Sequence, residues 1–297
     1  MTIIAFFWLF ASIILSSYLT LVFSYLGKTN ADIFQVIVVN YFVCVVTGSI
    51  SNGSIPNPIQ VFRQPGGWGP IVMGMGFIAV FNLMAITTQR ISVAVSAVSN
   101  KLSFIIPVLL SVIIFHESLH AVQWVGIWVA LLAVAFTCYP SGNNNSFQSH
   151  VTLLFLPLLL FIGSGLLDTL MNYLQHQFIH EQNRHAYLIS GFAVAGCIGL
   201  CITLMGYYTG YRKWNTINLL AGIALGIPNY FSIHCLVKFL SLAGDASSAG
   251  IAINNIGIVL LSALLAWILF KQTLSKLNII GIMLAMIAIG MISIVSL

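Results

Sequence analysis

The sequence predicts an all-α integral membrane protein whose ten transmembrane helices form two inverted five-helix repeats. Three observations lead there. Hydrophobic residues make up 60% of the chain and charged residues only 5%, whereas a soluble domain carries about 25% charged residues. The apolar residues fall into runs long enough to cross a hydrocarbon core, which takes about 20 helical residues. The chain also echoes itself: Asn100 and Asn255, Phe115 and Phe270, Gly126 and Gly281 are identical pairs at one constant spacing.

Taken in order, the apolar runs predict helices over Ile3–Leu26, Ile33–Ile50, Trp68–Thr88, Ser92–Phe115 and Val122–Tyr139. A second set follows over Val151–Gln175, Ala186–Tyr208, Thr216–Leu240, Ala246–Phe270 and Leu277–Val295. The stretch Ser51–Gly67 reads as a loop rich in Gly, Pro, Asn and Ser. Between the sets lies Pro140-Ser141-Gly142-Asn143-Asn144-Asn145-Ser146, the clearest linker. The predicted organisation is therefore a first repeat over 1–139, a linker over 140–150 and a second repeat over 151–297. An odd helix number per repeat turns the two repeats opposite ways in the bilayer, the plan of many secondary transporters, with substrate bound near the midplane. Gly74 and Gly76, Gly163 and Gly165, Gly222 and Gly226 let helix backbones approach. Pro107, Pro157 and Pro228 fall inside spans and free backbone carbonyls, so each predicts a kink or a cavity lining.

Composition also excludes functions. The net charge of +5 comes from scattered basic residues near helix ends, where they anchor at headgroups, and no basic cluster offers a nucleic-acid surface. The five cysteines form no Cys-x-x-Cys pair, and Cys197 with Cys201 reads as packing on one helix face. His176 through His185 holds three histidines and Glu181 but no zinc-ligand spacing, and reads as a solvated loop. There is no nucleophile–base pair, phosphate loop or buried carboxylate pair, so the chain does not read as an enzyme, and no cofactor or metal is expected.

What remains is a set of polar residues at membrane depth. Lys101 sits near the middle of the run Ile91–Phe115, where an ammonium costs roughly 2.5–3.5 kcal/mol on insertion scales and so should face a wet or polar interior. It is a candidate to bind a carboxylate-bearing substrate, against the alternative of a structural lysine held by carbonyls. Asn100 precedes it, and Asn254 and Asn255 occupy the same point of the run Ala246–Phe270. Asp168 and Asn172 share a helix face, with Gln175 extending the stripe. Asp168 is a candidate partner for Lys101 or a protonation site for proton coupling, or else a hydrated group near the headgroups. Asn229, Tyr230 and His234 follow Pro228 and suit a recognition wall, although interhelical hydrogen bonding explains them equally, as it does Asn82. Trp8 and Tyr18 could add aromatic walls.

The fourth helix of each half ends in a related word, Phe115-His116-Glu117-Ser118-Leu119 and Phe270-Lys271-Gln272-Thr273-Leu274, followed by Gly126 and Gly281. In this the chain resembles the EamA-type drug/metabolite transporters, departing where Gln272 replaces the usual Glu. The resemblance implies an alternating-access carrier of the inner membrane, often an exporter of amino acids or other small polar metabolites. It implies a cavity among the helices that carry the polar residues above, and both termini in the cytoplasm. The basic residues argue the other way: Lys28, Arg90, Arg212, Lys213, Lys271 and Lys276 lie in odd-numbered loops, which the positive-inside rule assigns to the cytoplasm. The expected partners are a small-molecule substrate and membrane lipid. The alternatives are an organic-cation or multidrug exporter and a membrane scaffold that transports nothing.

Overall fold

A computed structural model describes residues 3–53, 56–114, 119–138, 147–179, 183–213, 215–243, 247–272 and 274–294. These residues form helices and connecting turns without a strand. In chain order they are α1 (Ile3–Leu26), α2 (Ile33–Ser51), α3 (Pro58–Arg63), α4 (Gly69–Arg90), α5 (Val93–Leu102), α6 (Ile105–Ile114) and α7 (Ala121–Thr137). Then come α8 (Phe147–Gln177), α9 (Arg184–Tyr208), α10 (Thr216–Ala243), α11 (Ser247–Phe270) and α12 (Lys276–Ile294). Among the described residues nine helical spans are long and apolar enough to cross a membrane, α5 and α6 counting together as one, while α7 is apolar but shorter. This is a multi-pass membrane architecture. Of the linker expected over 140–150, residues 140–146 lie outside the described residues and 147–150 belong to α8. The Phe115–Ser118 part of the repeated word and the His180–Gln182 part of the histidine-rich loop also lie outside them.

Two expectations about elements need correction. The fourth helix, expected to be continuous over Ser92–Phe115, is interrupted at Ser103–Phe104 between α5 and α6. The loop Ser51–Gly67 holds the six-residue α3, which Pro58 can open because a first-turn residue needs no N–H partner.

The helices divide into two compact units, Met1–Ser24, Leu83–Gly165 and Phe231–Leu297 against Tyr25–Asn82 and Leu166–Tyr230. Each unit draws on both sides of the linker, and α1, α4, α8 and α10 pass from one to the other.

The first unit is built on antiparallel α7 and α12, whose contacts reciprocate. Gln123 Nε2 donates to the carbonyl of Ile292 (3.4 Å), and Asn278 Nδ2 donates to that of Thr137 (2.7 Å). Gln123 Oε1 accepts from the backbone N–H of His120 (2.9 Å), and Asn278 Oδ1 from that of Ser275 (3.0 Å), so the same side chain caps each helix start. A Cβ at Gly126 would meet Ile292 Cγ1 at 2.8 Å, and one at Gly281 the backbone nitrogen of Thr137 at 2.5 Å. Ile127, Ala130 and Ala133 pack with Ile282, Ala285 and Ala288 in one buried cluster. Every residue in these pairs has its mate at the spacing that relates Asn100 to Asn255. Small side chains allow the close backbone approach that replaces hydrophobic driving force inside lipid.

The second unit packs α2 against α9. Tyr41 is fully buried, stacks on Phe192 and donates its hydroxyl to the carbonyl of Phe77 (2.6 Å). Cys197 and Cys201 are exposed and do not pack as expected, because Gly196 and Gly199, on another face of α9, receive Phe42 and Val38 of α2. Asp32 caps α2, accepting from the N–H groups of Phe34 (3.1 Å) and Gln35 (3.3 Å), and pairs with Arg212. Gln35 joins the same network, accepting from Tyr207 Oη (2.9 Å) and Asn218 Nδ2 (2.9 Å).

Candidate functional site

The interruption between α5 and α6 falls just after Lys101, and Pro107 contributes to it, although Pro157 and Pro228 lie inside the unbroken α8 and α10. Proline lacks an N–H and its ring clashes with the carbonyl four residues back, here that of Ser103. That carbonyl accepts instead from the N–H of Ile106 (2.9 Å), three residues on. Ser103 Oγ donates to the carbonyl of Asn100 (2.6 Å), satisfying an acceptor at the end of α5. Lys101 is half-buried in the last turn of α5, where the carbonyl end of a helix favours a cation. Asn100 Nδ2 donates to Ser164 Oγ of α8 (3.0 Å). The approach of α8 is close: a Cβ on Gly165 would meet Ile106 Cβ at 2.6 Å.

α11 carries Asn254 and Asn255 and packs on α5. Asn254 and Asn255 are both buried, and the Oδ1 of Asn254 has no hydrogen-bond partner among the described residues. A buried acceptor left in this way costs about 1–3 kcal/mol. α11 also meets α1 along a polar seam, Ser17 Oγ donating to the carbonyl of Ile258 (3.4 Å) and Thr20 Oγ1 to Ser262 Oγ (3.3 Å). At the end of the seam Gln272 Oε1 accepts from the N–H of Val93 (3.2 Å), while its Nε2 donates to Ser24 Oγ (3.4 Å). Gln272 thus caps α5.

The other candidates separate. Asn229 is buried and donates to Asn40 Oδ1 (3.1 Å) and to Cys44 Sγ (3.5 Å), joining α10 to α2. Tyr230 is buried beside Gly48, where a Cβ would meet its ring at 2.8 Å. Asn82 Nδ2 donates back to the carbonyl of Ile78 in its own helix (2.7 Å). His234 is half-buried, edge-on to Trp8 with ring centroids 6.2 Å apart. Asp168, Asn172 and Gln175 form an exposed stripe on α8 in the second unit, whereas Lys101 belongs to the first.

Several polar residues escaped the sequence reading. Asn40 and Ser164 sit in apolar runs as single polar residues, and only their partners distinguish them. The repeated Gly-Ile-x-x-Ala-x-x-Ala of α7 and α12 was visible at Gly126 and Gly281 and could have been followed to Ala133 and Ala288.

These features define a multi-pass, all-α membrane protein with polar groups grouped about an interrupted span. No protein-family model matches the chain. It is 25% identical to an uncharacterized protein of Haemophilus influenzae over 223 residues, 74% of each chain. A protein of known crystal structure matches over 98% of both chains at 19% sequence identity and a TM-score of 0.63, a likeness of fold.

Proposed function

We propose that this protein is a secondary transporter of small polar metabolites, such as amino acids, of the EamA-type drug/metabolite class. In this reading ten helices form two inverted repeats, both termini lie in the cytoplasm of a cell with an inner membrane, and transport runs outward. The observation that carries the reading is the membrane span broken beside Lys101. Transporters bind substrate where a discontinuous helix frees backbone groups near the midplane, and an intramembrane ammonium is costly unless it works with a polar partner. The reciprocal contacts of antiparallel α7 and α12 support the inverted repeat, since a two-fold relation returns each contact with its partners exchanged. The buried Oδ1 of Asn254 supports a role in holding a hydrogen-bond donor of the substrate. Lys101 would bind a carboxylate, with Asn100 and Asn255 of the same unit lining the midplane, and Asp168 would be a separate protonation site for proton coupling.

The exposed carboxylate and amides of Asp168, Asn172 and Gln175 favour a second reading, export of organic cations. Counterflow in proteoliposomes across amino acids, nucleosides, sugars and organic cations separates the two. Amino-acid exchange by the wild type that disappears in Lys101→Ala, with unchanged reconstitution yield, is the expected outcome. Cation exchange that improves in Lys101→Ala establishes the second reading instead, and no exchange of any solute leaves the scaffold alternative.

A further inference from the structure

A cavity of about 460 Å³ opens in the second unit where α1 and α9 end and α2 and α10 begin. Its lining includes Asn30, Asp32, Tyr211, Arg212, Lys213 and Asn218. The charges do not cancel at its surface. Asp32 is committed to the fold: one oxygen accepts from the N–H groups of Phe34 and Gln35, and the other from Gln35 Nε2 (3.1 Å) and Arg212. Asn218 is likewise held, accepting from the N–H of Asp32 (3.0 Å) and donating to Gln35. The Arg212 guanidinium makes one hydrogen bond among the described residues and lies 4.6 Å over the ring of Phe34, which fixes its plane and leaves other N–H groups of the fork to a ligand. Lys213 is exposed beside it, and its carbonyl is tied to Gln35 Nε2 (3.2 Å), so the loop that presents both cations is anchored.

We infer that this cavity binds the phosphate of an anionic phospholipid headgroup. A planar guanidinium fork beside a lysine ammonium is the donor set that matches a phosphate ester, and basic pockets between membrane helices take anionic headgroups. The depth fits lipid. The cavity lies at the ends of four spans; Tyr211 in its lining is 84% exposed, and Tyr25 and Tyr208, at the ends of α1 and α9, are 60% and 95% exposed. Exposed tyrosines at span ends mark the headgroup level. The inference stands apart from transport and uses none of the residues placed in the proposed substrate site.

Native mass spectrometry of the full-length protein, released from detergent with phosphatidylglycerol or phosphatidylcholine, tests it. Phosphatidylglycerol adducts should exceed phosphatidylcholine adducts, and Lys213→Gln should weaken the former about fivefold, the share of one basic residue near a lipid surface. Arg212→Lys keeps a cation against Asp32 while removing the fork, and should weaken binding as well with thermal unfolding unchanged. Inorganic phosphate at millimolar concentration should leave the adducts in place. Displacement by inorganic phosphate would reassign the cavity to a free anion and overturn the lipid, and equal retention of both lipids or full binding in both variants would overturn the site.

Discussion

The interrupted span α5–α6 and the unbroken α11 occupy the same register of the sequence repeat, and they differ at the positions that decide backbone continuity and charge. Where the first has Pro107, the second has Ser262; where the first has Lys101, the second has Ile256. Ser262 is fully buried and accepts from Thr20, so α11 stays continuous and bound to α1. Pro107 denies its span that continuity and leaves the end of α5 to be closed by Ser103 and by the turn to Ile106. The asparagines diverge too. Asn100 finds Ser164, while Asn254 beside Asn255 keeps a buried acceptor. A repeat supplies two similar helices, and one proline and one lysine make only the first of them a place where backbone and charge meet at membrane depth.

Making α11 resemble its counterpart should have the largest effect. Ser262→Pro would remove an N–H and drive a ring against the carbonyl of Ile258, which already accepts from Ser17. The expected loss is about 3 kcal/mol or more, read as a fall in the thermal unfolding midpoint of the purified protein. An unfolding midpoint equal to wild type would mean that α11 tolerates the break and that its continuity is incidental.

The α7–α12 seam gives a second comparison, because its two glycines are not equally crowded. Gly281→Ala would press on the Thr137 backbone and the Ala133 carbonyl, at 2.5 and 3.0 Å, whereas Gly126→Ala meets chiefly side-chain atoms of Ile292 and Met291. Overpacking costs about 1–3 kcal/mol, and Gly281→Ala should lie at the upper end with Gly126→Ala at the lower. Equal losses in paired unfolding curves would show that the seam relaxes symmetrically.

Pro107→Ala should have the smallest effect on stability and the most local one. It returns an N–H to the ladder opposite the Ser103 carbonyl, so amide exchange at residues 103–108 should slow while the rest of the protein is unchanged. Unaltered exchange there would assign the break to packing against Gly165 rather than to the proline.

Much of this was legible in the chain. Span positions follow from runs of apolar residues, but the break does not, since Pro157 and Pro228 lie inside the unbroken α8 and α10 and only the structure separates Pro107 from them. The offset that pairs Gly126 with Gly281 already contained the α7–α12 seam. The site was less legible. Asn40, Asn100, Asn229 and Asn254 are the same residue type in similar apolar surroundings. Their fates differ because Ser164 faces one, Asn40 and Asn229 face each other, and Asn254 Oδ1 faces no donor.

The sequence by itself determined that the chain crosses a membrane many times as helices. Hydropathy and backbone satisfaction act on neighbouring residues, and only a helix satisfies its own peptide groups in lipid. It also determined the spacing of the repeat and the charges at membrane depth. Tertiary structure alone decided that each compact unit mixes helices from both sides of the linker and that Asp32 is consumed by Arg212 and Gln35. It alone decided which buried polar atoms are satisfied. Lipid-facing and helix-facing surfaces have nearly the same composition, so partners within the membrane are chosen by three-dimensional packing.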